Sequence, residues 1–180
     1  MGVHEEAEKW KEKAIKRSPF VKFMMEHMAK RGCPVDESFF VVRHCDEKVG
    51  GGFDESASRQ GGVVLCENHL RNYAHTEMTM THELIHAYDH CRAFVDWTNC
   101  VHHACSEIRA ANLSGDCKWW QEILRGNTAF LGQGRACIKR RAALSVSMNP
   151  ACSAPGVAQE AVEKAFERCY ADTSPFDRVP

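Results

Sequence analysis

Apolar positions along residues 4–31 return at Trp10, Ile15, Phe20, Phe23, Met24 and Met28, a spacing that fits the 3.6-residue period of a helix. Ser18-Pro19 is the natural break in it, because serine caps a helix and proline can open one. The Met and Phe stripe reads as core. Two short runs rich in aromatic and β-branched residues, SFFVVRHC at 38–45 and GGVVLC at 61–66, predict strands. Between them GGGFDESASRQGG lacks the G-K-[ST] ending of a phosphate loop and reads as a turn. A helix starting near Thr76 or Thr79 and running to about Cys91 comes next, since threonine caps helices and neither Pro nor Gly interrupts the segment. Further helices are expected over 101–113, 135–148 and 157–171, the last with Val157, Ala161, Val162, Ala165, Phe166 and Cys169 on one face. The tail TSPFDRVP reads as irregular.

Composition narrows the setting. A chain of 180 residues with 23 basic and 24 acidic side chains suits one domain and carries no global field toward nucleic acid, so no nucleic-acid partner is expected. The acidic N-terminal segment fits neither a signal peptide nor a transit peptide, and Gly2 lacks the Ser or Thr of the myristoylation pattern. The longest uncharged stretch, 142–159, is broken by Pro150, Pro155 and Gly156 and is no membrane span. Membrane attachment, if any, is expected to be peripheral.

Ten cysteines change the picture more. Cys33, Cys45, Cys66, Cys91, Cys100, Cys105, Cys117, Cys137, Cys152 and Cys169 include no C-x-x-C pair, which excludes zinc ribbons and thioredoxin-type redox pairs. A disulfide framework is favoured over buried free thiols. It calls for a compartment that oxidises cysteines without a cleaved presequence, such as the mitochondrial intermembrane space. Spacing does not choose the pairing, although Cys91 reads as a bridge that holds its helix against the next. Trp119-Trp120 reads as core rather than an exposed apolar edge, and Lys139-Arg140-Arg141 as a solvated face.

The stretch THELIHAYDHC at 81–91 carries the chemistry. Positions i and i+4 share a helix face, so His82 and His86 can present imidazoles to one ion. Glu83, too far round the helix to ligate, can take a proton from the attacking water; this division of labour makes H-E-x-x-H a zinc peptidase motif. In a chain with this many histidines and glutamates, chance supplies such a match about one time in twenty. The uninterrupted helix around it and the preceding strand tip the balance toward function.

A catalytic zinc takes three protein ligands. Glu107, on the following predicted helix, resembles the third ligand of glutamate-type zincin peptidases, with Asp89, His90 and His103 as alternatives. His102, beside His103, forms an ambiguous pair with it. Those peptidases often place an aspartate four residues later to orient a ligand histidine. That position is Ala111 here, which leaves Asp89 or Asp116 to orient a ligand. The expected fold is α+β and zincin-like, mostly helical with a small sheet, in one metallopeptidase domain over 1–180: an N-terminal helical segment at 1–31 and a zinc peptidase core at 32–180. A substrate peptide would add to the strand Gly62–Cys66. Tyr88, Arg109 and His103 are the candidates to stabilise an oxyanion.

THELIHAYDHCRAFVDW and ACSEIRAANLSGDCKWW, with the cysteines spread through the second half, resemble one family. It is the mitochondrial inner-membrane metalloprotease family that processes and helps assemble the membrane sector of the ATP synthase. The resemblance spans roughly residues 33–176, and FERCYADTSPFDRVP is similar to the family's C-terminal end. It implies a zinc metalloendopeptidase holding one catalytic Zn2+ on His82 and His86, with Glu83 as general base. It further implies peripheral attachment to the inner membrane from the intermembrane-space side, and an ATP synthase membrane-sector subunit as protein substrate. Assembly help independent of proteolysis is also implied, so the alternative is an assembly chaperone whose metal site is structural or dispensable.

Overall fold

The structure, a computed structural model, describes residues 2–58, 60–126 and 133–180, with Gln133 placed by its backbone alone. Of the glycine-rich segment 50–62, Arg59 lies outside the described residues. The chain forms two compact units, Met1–Phe94 and Val95–Pro180. Helices predominate and one three-stranded sheet accompanies them, an α+β composition as expected.

In the first unit, helices α1 (Val3–Arg17) and α2 (Pro19–Lys30) meet at Ser18, whose hydroxyl accepts from Val21 N at 3.2 Å while Pro19 opens α2. Strands β1 (Phe40–Arg43), β2 (Gly51–Asp54) and β3 (Gly62–Cys66) form a sheet in the order β1-β3-β2. β3 runs parallel to β1 and antiparallel to β2. The long helix α3 (Tyr73–Arg92) packs against α1 and α2 and against β2 and β3.

Two expectations change here. The glycine-rich segment contributes a strand, β2, where a turn was read, and β3 is therefore central, paired through Val63 to both Phe40 and Phe53. Its backbone donors and acceptors are occupied on both sides, so a substrate peptide cannot add to Gly62–Cys66; the sheet edges are β1 and β2. The glycines of β2 are there for proximity. A Cβ on Gly51 would fall 2.6 Å from the Val64 carbonyl oxygen and 2.9 Å from Thr79 Cγ2 of α3. We expect Gly51→Ala to destabilise the protein by about 1–3 kcal/mol, because one of the two contacts is rigid backbone. Urea denaturation checks this, and an unchanged midpoint would show that β2 does not need the close approach.

The start of α3 also lies upstream of the predicted one. Asn72 caps it, accepting from His75 N at 2.9 Å. Thr76 and Thr79, read as possible caps, lie inside the helix with Thr81, and the three return their hydroxyls to the carbonyls of Asn72, His75 and Glu77. Threonine serves both purposes, which is why the sequence did not separate them.

The second unit contains α4 (Cys100–Leu113), α5 (Trp119–Leu124), α6 (Gln133–Met148) and α7 (Val157–Ala171). α4 packs on α6 and α7 around Ile108, Ile138, Val146, Val162 and Phe166. Alanines 104, 111 and 142 let these helices come close. The C-terminal segment is irregular as expected. It is held by Arg109, which donates to the carbonyls of Asp172 and Ser174 and pairs with the Asp172 carboxylate at 2.8 Å.

All ten cysteines are paired. Cys33–Cys91 and Cys45–Cys66 lie in the first unit. Cys100–Cys152, Cys105–Cys169 and Cys117–Cys137 lie in the second. Cys91 thus ties the end of α3 back to the segment after α2, and not to the next helix as the sequence reading had it.

Candidate active site

Helix α3 carries His82, Glu83 and His86 about its middle, and buried residues extend from Glu83 to Asp89. Helical spacing brings the rings of His82 and His86 together, with centroids 5.0 Å apart and planes at 73°. His86 and Glu83 are buried, at 4% and 7% exposure, and His82 is half-buried. Burying polar side chains on a helix is costly unless they bind something. Two imidazoles one turn apart are able to share a metal ion.

The flanking residues of α3 have partners of their own. Asp89 is buried and accepts from Arg92 Nε at 2.9 Å, one turn along the same helix. The Tyr88 ring is buried beneath the guanidinium groups of Arg31 and Arg92, at 5.8 and 5.5 Å from its centroid. His90 lies with its ring 5.5 Å from Phe53 of β2.

The second unit presents one buried carboxylate on α4, that of Glu107, 5% exposed. Asn99 starts this helix, accepting from Val101 N at 3.0 Å and His102 N at 3.3 Å. Ser145 on α6 donates its hydroxyl to Glu107 Oε1 at 2.5 Å. His103, one turn before Glu107, has Nε2 at 3.4 Å from the same oxygen. On its other side Asn149 Nδ2 lies 3.1 Å from His103 Nδ1 and 2.7 Å from the Trp97 carbonyl. An amide nitrogen has two hydrogens to give and no lone pair, so His103 Nδ1 accepts and Nε2 carries the proton facing Glu107. His103 is thus held through Nδ1, with Nε2 beside the Glu107 carboxylate.

A profile of the peptidase M76 family matches residues 5–177. The chain belongs to that family. This peptidase is 43% identical over 185 residues to the mitochondrial inner membrane protease ATP23 of Malassezia globosa, covering 94% of this chain and 75% of that protein. It is 38% identical to the protein of the same name from Mycosarcoma maydis, covering 97% and 91%. The human protein named mitochondrial inner membrane protease ATP23 homolog is 45% identical, covering 93% and 68%. No solved structure matches it. Family and relatives together make the chain a mitochondrial inner-membrane protease, as the sequence resemblance implied. Among the described residues no helix is long and apolar enough to cross a membrane.

The remaining sequence candidates of the M76 peptidase fall as follows. Asp116 is buried and accepts from Arg125 Nη2 at 2.5 Å and Arg141 Nε at 2.7 Å, which occupies both its oxygens. Arg109 is 1% exposed and holds the C-terminal segment. Ala111 belongs to the apolar core with Ile138 and Phe166, where a carboxylate would lose its hydration. Sequence reasoning missed Ser145 and Asn149. Neither has a local signature, because each acts through a partner 38 or 46 positions away.

Proposed function

We propose that this M76 peptidase is a zinc metalloendopeptidase of zincin type, a single peptidase domain in which His82, His86 and Glu107 hold one Zn2+ and Glu83 is the general base. The observation that carries it is the buried H-E-x-x-H turn of α3, with two imidazoles face to edge on one helix. The donor set fits the ion: imidazole nitrogen and carboxylate oxygen are donors that zinc takes, and each of the three residues offers one. A zinc ion held there would acidify water and polarise a carbonyl.

The residues of the chain divide the remaining work. Glu83 accepts the proton of the attacking water and passes it to the amine nitrogen as the peptide bond breaks. Its neighbours Leu84 and Ile85 are fully buried, which fixes the turn of α3 that aims the carboxylate. Ser145 fixes the carboxylate of Glu107, with His103, held by Asn149, beside it. Asp89 and Asp116 then serve α3 and the second unit through their arginines. An extended substrate pairs with a sheet edge, and β2 is the edge strand that lies on α3.

In the cell the reading is processing of a mitochondrially encoded ATP synthase subunit and help in assembling the membrane sector, from the intermembrane-space side with peripheral attachment. Five disulfides favour an oxidising compartment. Metal analysis of the purified full chain tests the enzyme reading most directly, since near-stoichiometric zinc is expected and its absence would sink the proposal. Ser145→Ala is expected to weaken zinc binding by about 10–100-fold, read by competition with a chromophoric chelator. Native zinc affinity in a folded Ser145→Ala protein would show that the Glu107 carboxylate does not need that hydroxyl.

A further inference from the structure

Helix α5 is amphipathic in the reverse sense. Trp119, Trp120, Ile123 and Leu124 fall on one side of it at about 100° per residue. They are 51%, 51%, 38% and 74% exposed, whereas Glu122, on the far side, is fully buried. The reading of Trp119-Trp120 as core is thus corrected: the helix is fastened to its unit by charge, and its apolar side faces outward. On α6, Arg140, Leu144 and Met148 follow at four-residue spacing, and the last two are again more than half exposed. A helix held in place by the hydrophobic effect shows the opposite pattern, and an exposed apolar face of this kind marks contact with something other than water.

The charges are layered. Asp116 and Glu122 are buried, and three arginines lie over them: Arg125 reaches both, Arg140 pairs with Glu122 and Arg141 with Asp116. These arginines are partly exposed, and Lys118 at the start of α5 is exposed. Burial would push the Glu122 carboxyl up, but hydrogen bonds and charge from Arg140 and Arg125 hold it below the usual carboxylate range. Glu122 stays ionised beneath arginines that are the more exposed members of the layer. Lys139-Arg140-Arg141, read as a plain solvated face, is the outer part of this layer, with Lys139 paired to Glu163.

We propose that α5 and the arginine layer beside it form the surface by which this peptidase lies on an anionic phospholipid bilayer. This rests on the peripheral attachment proposed above and names the part of the chain responsible. Indole rings settle at the boundary between headgroups and hydrocarbon. Arginine and lysine beside them match anionic headgroups. The relatives bear the name of inner membrane proteases, and no helix among the described residues can span a bilayer. A contact through the surface agrees with those names, and this face has both halves of its chemistry.

The test uses the full oxidised chain with zinc and two vesicle preparations, phosphatidylcholine alone and phosphatidylcholine with one fifth cardiolipin. Flotation measures binding. The native chain is expected to float with the cardiolipin vesicles, less so at high salt, and Trp119→Ala with Trp120→Ala to weaken partition at least about tenfold. Phe94→Ala, which removes an 88% exposed ring in the other unit, is expected to leave it unchanged. The proposal is overturned if the native chain binds neither preparation, if the double variant binds as well as the native chain, or if Phe94→Ala weakens binding as much. It is equally overturned if the tryptophans instead support a dimer in solution. Zinc content and cleavage of a soluble unfolded substrate, measured on the same samples, keep the two readings apart: both are expected to be unchanged in the double variant. Loss of cleavage in the native chain counts against the enzyme, not against the surface.

Discussion

Glu83→Gln is expected to keep zinc bound and to lower peptide cleavage by about 10²–10⁴-fold, the usual contribution of a positioned general base. The substitution preserves the shape of a buried side chain and removes only its ability to accept a proton. His82 and His86 are untouched, so the metal content measured by elemental analysis stays near that of the native protein. If cleavage persists at the native rate, Glu83 is not the base and the mechanism is wrong. If cleavage is lost but the variant still restores ATP synthase assembly in cells lacking the native protein, assembly help is a separate function of the same chain.

The second large effect is on stability. Cys100–Cys152 and Cys105–Cys169 interleave, each closing a long stretch of the second unit, 52 and 64 residues. With one of them intact, the path between the other two cysteines runs through the remaining bridge and is only about 22 residues, so removing either alone is expected to cost about 3 kcal/mol. Removing both opens the whole stretch and is expected to cost about 7 kcal/mol. That is comparable to the full stability of an ordinary domain. Serine at all four positions should therefore abolish cooperative unfolding of the second unit in urea, while either pair alone lowers the midpoint. A four-serine variant with a near-native midpoint would mean that the core around Ile108 and Phe166 suffices without covalent help.

Legibility in the sequence followed the range over which each signal acts. The break at Ser18-Pro19, the helix over 157–171 and the apolar strand at 62–66 are set by neighbouring residues, and all three are present. The H-E-x-x-H turn is also local, since its geometry is a property of any helix, and it lies within α3. β2 was hidden because glycine signals a turn within a segment, while Gly51 is required by an approach to Thr79, far along the chain. β3 looked like an edge for the same reason: nothing in GGVVLC tells that Gly51–Asp54 pairs on its second side. Trp119 and Trp120 were read as core because large apolar residues usually are, and only the buried Glu122 beneath them reveals the reversal. The support of Glu107 by Ser145 and of His103 by Asn149 joins α4 to α6 and the residue after it and leaves no trace in either segment.

The order of the cysteines bears on how the chain matures. Were its thiols to oxidise as they follow one another, Cys33 would join Cys45, Cys66 would join Cys91, Cys100 would join Cys105, and Cys152 would join Cys169. Of the five bridges so made, only Cys117–Cys137 is native. An oxidant meeting the polypeptide as it threads into its compartment would thus trap scrambled isomers. The native set arises only if the elements of each unit have already gathered when the thiols react, or if thiolates later exchange the early bonds. Packing comes before locking, and the apolar faces of the helices choose which sulfur atoms meet.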